Sequence, residues 1–227
     1  MRYERIDNSL FTSNRKNYIK KVDSGSASVF ISNDELPTNA DELLPFVQNT
    51  NLLYLTGIDQ EDTFLILAPQ FPDKKMREIL FIKETSEEIA IWEGNKLTKE
   101  EASKISGVET VLWNDQFENI LPLILAQTKD IYLEKNEHIR SKTKVETAQD
   151  RFIKKIKTEF SSHNIKRSYP LLSELRMVKN DIEVTQIQKA CDITEMGFRR
   201  VLDFIEPGVW EYEIEAEYSH EFLNNRS

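Results

Sequence analysis

Apolar residues in this chain follow two different periods. Beyond Asn180 they recur at steps of three and four: Ile187, Ala190, Cys191, Thr194, Phe198, Val201, Leu202 and Ile205 fall on one face, which predicts an amphipathic helix with that face buried. Asn180 with Glu183 after it is a capping-box start, and Pro207-Gly208 is a stop. A second helix opens at Trp210, with Ile214, Tyr218 and Phe222 on one side. Upstream, short continuous apolar runs replace the helical spacing. Residues 27–31, 52–57, 63–68 and 77–82 read as strands, the second and third joined by the acidic turn Asp59-Gln60-Glu61-Asp62. Runs this apolar predict strands covered on both faces, and connections this short predict antiparallel pairing.

The remaining pattern is mixed. Residues 3–22 read as a helix with Ile6, Leu10 and Tyr18 inward, and Thr98 with Glu101 caps a helix that stops at Gly107. A strand over 108–113, a helix over 116–126, a strand over 131–133 and a basic helix with Phe152, Ile153, Ile156 and Phe160 inward follow. Strand and helix in alternation is the mark of parallel crossovers. The expected fold is therefore α/β, a mixed β-sheet with helices on both faces that ends near residue 165. Ser168-Tyr169-Pro170 reads as a linker, since Pro170 biases Tyr169 to extended geometry. It divides the chain into residues 1–168 and 169–227. The two helices of the second part need a surface to pack on that these residues do not supply. The expectation is a truncated second domain with exposed apolar stripes at Ile187, Phe198, Val201, Trp210 and Ile214.

Composition narrows the class. The chain is 39% hydrophobic and 10% aromatic, which is globular. No apolar run approaches the roughly 20 residues of a membrane helix, and the polar start Met1-Arg2-Tyr3-Glu4-Arg5 is no signal peptide. One cysteine, Cys191, reads as a small core residue, which fits a cytoplasmic protein. A net charge of -9 argues against nucleic-acid binding. Basic residues crowd between Arg140 and Arg167, as on a solvated helix face, and glutamates crowd between Glu206 and Glu221.

Ligands for hydrolytic or metal chemistry are sparse. His138 and His163 read as solvated, and His220-Glu221-Phe222-Leu223-Asn224 begins like the helical zinc motif but ends in asparagine. Asp59, Glu61 and Asp62 could hold a cation but read as a solvated turn. No glycine-rich phosphate loop and no Gly-x-Ser-x-Gly elbow occurs.

Two blocks carry a family likeness. Gln48-Asn49-Thr50-Asn51-Leu52-Leu53-Tyr54-Leu55-Thr56-Gly57 resembles the N-terminal signature of Xaa-Pro aminopeptidases (aminopeptidase P) and prolidases, with Val47 where that family has arginine. Ile91-Trp92-Glu93-Gly94-Asn95-Lys96 resembles its Trp-x-Gly-x-Arg segment, with Lys96 for the arginine. Leu175-Arg176-Met177-Val178-Lys179-Asn180-Asp181-Ile182-Glu183 is similar to the opening of its catalytic domain, and the stretch from Pro207 to Phe222 resembles the next helix.

The resemblance implies a creatinase-type N-terminal domain over 1–168, followed by the opening helices of a pita-bread metallopeptidase domain. It implies a parent hydrolase that removes the residue preceding proline, with two manganese ions whose ligands lie beyond Ser227. No catalytic residue, metal or cofactor is expected in this chain. Partners would be peptides with proline second and further copies in a homo-oligomer, with no nucleic acid and no membrane. The alternatives are a prolidase or creatinase-like hydrolase, or a non-enzymatic peptidase-like domain that binds a basic protein. Trp92 is the one candidate substrate-binding residue. It precedes a charged, glycine-broken segment that reads as a projecting loop, and the resemblance places it toward a neighbouring subunit's active site, where an indole can pack on a proline ring.

Overall fold

A computed structural model describes residues 5–140 and 144–226. Met1 to Glu4 and Ser227 lie outside the described residues, and with them the start of the helix expected over 3–22. The described chain divides into two compact units, Asn8–Met177 and one built on the residues from Val178 onward.

The first unit is organised on strand β1 (Ser26–Ile31), every residue of which is buried. It pairs antiparallel with β2 (Phe64–Leu67) on one side and parallel with β5 (Asp130–Leu133) on the other. β2 pairs antiparallel with β3 (Glu78–Ile82), which pairs parallel with β4 (Thr110–Trp113). β6 (Asn164–Arg167) closes the far edge parallel to β5, so the order is β4-β3-β2-β1-β5-β6. The expected mixed α/β sheet with helices on both faces is what forms.

Alternation along the strands separates two cores, as the twofold pleat requires. Phe30, Leu65, Leu67, Leu80, Ile82 and Val111 face one side. They meet Tyr18 of α1 (Ser9–Ile19), Leu52 and Leu55 of α2 (Thr50–Thr56), Ile105 of α4 (Lys99–Ser106) and Leu172 of α7 (Tyr169–Met177). Val29, Ile31, Ile66, Ile79, Phe81 and Leu133 face the other side. There they pack on Leu121 and Ile124 of α5 (Phe117–Leu125) and Ile156 of α6 (Ala148–Glu159). Arg15, itself 1% exposed, pins the first core: its Nη1 donates to the Leu55 and Ser106 carbonyls at 2.8 Å, at the carboxyl ends of α2 and α4. A guanidinium there meets the negative ends of two helix dipoles.

Three local expectations are corrected. Residues 52–57 are helix α2, because Asn49 caps its first turn and Gly57 ends it in the left-handed region at φ 68°. The apolar run that suggested a strand is the buried side of that helix. β6 was not expected, because its Asn-Ile-Lys-Arg sequence is an edge strand's, polar and half exposed. His163 is half-buried, with Nε2 2.9 Å from the Leu125 carbonyl oxygen.

The second unit is a helix pair, α8 (Asp181–Phe204) and α9 (Glu211–Asn224). The Asn180–Glu183 capping box forms as expected. Gly197 lets the helices approach: a Cβ there would stand 3.0 Å from Tyr218 Cδ1. Val201 is buried and Arg200 pairs with Glu217. Ile187, Phe198, Leu202, Ile205 and Trp210 remain exposed. Cys191, expected in a core, is exposed as well, because two helices can bury only the strip between them.

Gly57 generates the sharpest stability test. A Cβ would lie 2.3 Å from Phe11 Cε2 at a positive φ. Left-handed backbone and overpacking together predict that Gly57→Ala destabilises the first unit by about 2–4 kcal/mol. Urea denaturation of the variant checks this.

Candidate functional site

The two blocks of family likeness meet in the first unit around one buried carboxylate. Asn49 is the N-cap of α2, its Oδ1 accepting from the Asn51 and Leu52 backbone N–H groups at 2.9 and 3.1 Å. Gln48 holds the approach: its Oε1 accepts from Asn49 N at 2.8 Å, and its Nε2 donates to the Gln60 carbonyl at 2.7 Å. The amide ends left over converge on Glu134, which follows β5 and is 6% exposed. Asn49 Nδ2 donates to Glu134 Oε2 at 2.8 Å and Asn51 Nδ2 to Oε1 at 3.0 Å. From α7, Arg176 Nη1 donates to Asn51 Oδ1 at 2.7 Å, and its guanidinium lies 5.6 Å from the centre of the Tyr54 ring. Asn51 thus stands between an anion and a cation.

Burial pushes the Glu134 carboxyl above its ordinary range, and the two asparagine donors and the Arg176 charge pull the other way. Glu134 escaped the sequence reading because a lone glutamate after a short strand carries no pattern. The asparagines beside it stand out in the sequence only through the family likeness.

Trp92 lies on a different element. It sits in the last turn of α3 (Glu87–Glu93), not in a loop, and it is 89% exposed beside Ile91. The helix forms because Ser86 Oγ accepts from Ile89 N at 3.2 Å and Gly94 ends it at φ 78°. It fully buries none of its own side chains, with Ile89 and Ala90 half-buried, and an ion pair reaches its last residue. Lys83 contacts Glu93 at 2.8 Å and Glu61 at 3.7 Å, and Lys96 pairs with Glu61 as well. Leu97 N donates to Gln60 Oε1 at 2.8 Å. The Glu93 carboxyl is lowered by its hydrogen bond from Lys83, whose own pKa is raised by the same contact. Glu61 is therefore a buried ion-pair centre and not the solvated turn residue expected.

His138 is exposed, and His220 lies on α9 of the second unit. Among the described residues no three His, Cys, Asp or Glu side chains are grouped so that they could hold a metal ion. Nor is any helix long and apolar enough to cross a membrane.

The sequence pattern of the family described as aminopeptidase P, N-terminal domain, matches residues 11–132. The Xaa-Pro aminopeptidase of Escherichia coli (strain K12) is 25% identical over 96% of this chain and 49% of its own length. A solved Bacillus anthracis structure, described as a candidate aminopeptidase P, is 27% identical. It superposes with a TM-score of 0.85 over 96% of this chain and 52% of that one. A zinc-substituted E. coli aminopeptidase P in complex with product shares the fold, at 22% identity and a TM-score of 0.79, over 97% of this chain and 50% of its own. The chain spans about half the length of the curated relatives it matches.

Glu134 yields a pH prediction. A folded-state pKa raised above the ordinary 4.5 gives stability that is complete below that value and is lost as pH rises through the folded value. The stability of the native chain relative to Glu134→Gln should therefore rise as pH falls from neutral toward 4.5. Parallel denaturation curves across that range check it; a difference that stays flat would contradict the assignment.

Proposed function

The chain belongs to the aminopeptidase P N-terminal domain family, and from that premise we propose that it is the front part of a metal-dependent Xaa-Pro aminopeptidase. In this reading residues 1–168 form the non-catalytic domain and residues 169–227 the opening of the catalytic domain. The whole enzyme removes the N-terminal residue that precedes proline. The observation that carries the reading is the contact between the two blocks of likeness: Arg176 closes on Asn51 and lies by the Tyr54 ring. A segment that resembles the first domain and a segment that resembles the start of the next share one polar node.

The described residues do not fit a dinuclear metal centre, which needs several convergent carboxylates and imidazoles. No step through a metal is assigned to them. In the whole enzyme the two manganese ions implied by the resemblance would be held by residues after Ser227. What this chain supplies is a wall and contacts between subunits. Trp92 offers a flat apolar face on α3, whose last residue Glu93 pairs with Lys83. A proline ring packs well on such a face.

The chain alone is expected to release no residue from an Xaa-Pro peptide and to show no stoichiometric micromolar manganese site by calorimetry. Turnover would sink the reading. In the enzyme of full length, Trp92→Ala should raise KM for proline peptides about threefold to tenfold, with metal content and melting temperature unchanged. Unaltered kinetics would remove Trp92 from the site.

A further inference from the structure

We propose that the exposed face around Ile91 and Trp92 docks a cationic peptide, with its apolar residue on the indole and its positive charges on the carboxylates of the same helix and its approach, Glu84, Glu87 and Glu88. The proposal rests on the reading of Trp92 as peptide-facing and adds the charge class of the peptide. Two segments flank the Lys83 cluster: Glu93 of α3 contacts Lys83, and Glu35 lies within the electrostatic reach of Lys83, Lys96 and Glu61. Residues 33–47 and 84–95, which contain them, carry eight carboxylates and no lysine or arginine. Asp34 is engaged by Arg151 and Glu93 by Lys83. The other six, Glu35, Asp41, Glu42, Glu84, Glu87 and Glu88, have no cation within salt-bridge distance among the described residues.

The nearest cations are already committed, since Lys83 and Lys96 are both held by Glu61. What solvent meets is therefore an apolar step in a negative field. Burial and the neighbouring Glu61 charge both disfavour the ionised form of Glu35, so an arriving cation would relieve repulsion there. A lysine or arginine stem covers apolar surface while its head reaches a carboxylate, and an indole face attracts the same charge. A second copy meeting this face through the same patch would bring like charges together, which disfavours self-association as the occupant.

Calorimetric titration of the whole chain with a proline-containing pentapeptide that bears two lysines tests the proposal. The same peptide with both lysines acetylated, and with both replaced by glutamate, gives the comparison. Binding of the lysine peptide should be about tenfold tighter than of the acetylated one and should weaken several-fold with added salt. Trp92→Ala, and the pair Glu87→Lys with Glu88→Lys, should each cost about tenfold. Glu84→Lys lies outside α3 and should weaken binding in the same direction even if the paired reversal unwinds that helix. Equal affinity for lysine and acetylated peptides, salt-insensitive binding, no binding at all, or indifference to Trp92→Ala or Glu84→Lys overturns the proposal. If Xaa-Pro turnover by the enzyme of full length persists in that event, the charge preference alone has failed.

Discussion

The side-chain amide of Asn51 has a buried carboxylate at one end and a guanidinium at the other, and three elements depend on it. Glu134 follows β5, Asn51 lies in the first turn of α2, and Arg176 lies in the last turn of α7. Among the described residues Glu134 has no cation within salt-bridge distance; two asparagine donors satisfy it, and the compensating charge reaches it through one of them. Leaving any of these buried groups without its partner costs about 1–3 kcal/mol, more for the charged ones. The three elements therefore cannot shift independently without exposing or orphaning part of the node.

That constraint explains the division of labour in the first unit. Glu134, Asn49 and Asn51 are buried and hydrogen-bonded, with Arg176 half-buried at their edge, so the place of this node is in holding α2 and α7 against the sheet. Trp92 is the opposite kind of feature, exposed and with almost no apolar contact of its own with the core. Its helix is held by ion pairs around Glu61, one of the few acidic side chains this deeply buried.

Much of this was legible in the sequence, and the failures have physical causes. Continuous apolar runs did predict β1, β2 and β3, because a strand buried on both faces has no polar alternation to hide it. The same rule misread residues 52–57, where a two-turn helix also buries nearly all of its length; the Asn49 cap and the left-handed Gly57 were the signals that would have decided it. The apolar stripe of α8 was correctly located, yet periodicity reports which face is apolar and not what covers it, so Cys191 was misplaced. The exposure of Trp92 followed the expectation set by its charged neighbours, while the loop expected around it is the last turn of a helix. Glu134 was invisible, since its role comes from partners distant along the chain.

The central claim is that Asn51 and Arg176 tie α2 to α7 within the first unit. A double-mutant cycle with Asn51→Ala, Arg176→Ala and the pair, each measured by urea denaturation of the whole chain, tests it most directly. The account predicts a coupling of about 1 kcal/mol, because each single change already forfeits the contact that the other would lose. Effects that add to within about 0.3 kcal/mol would contradict it.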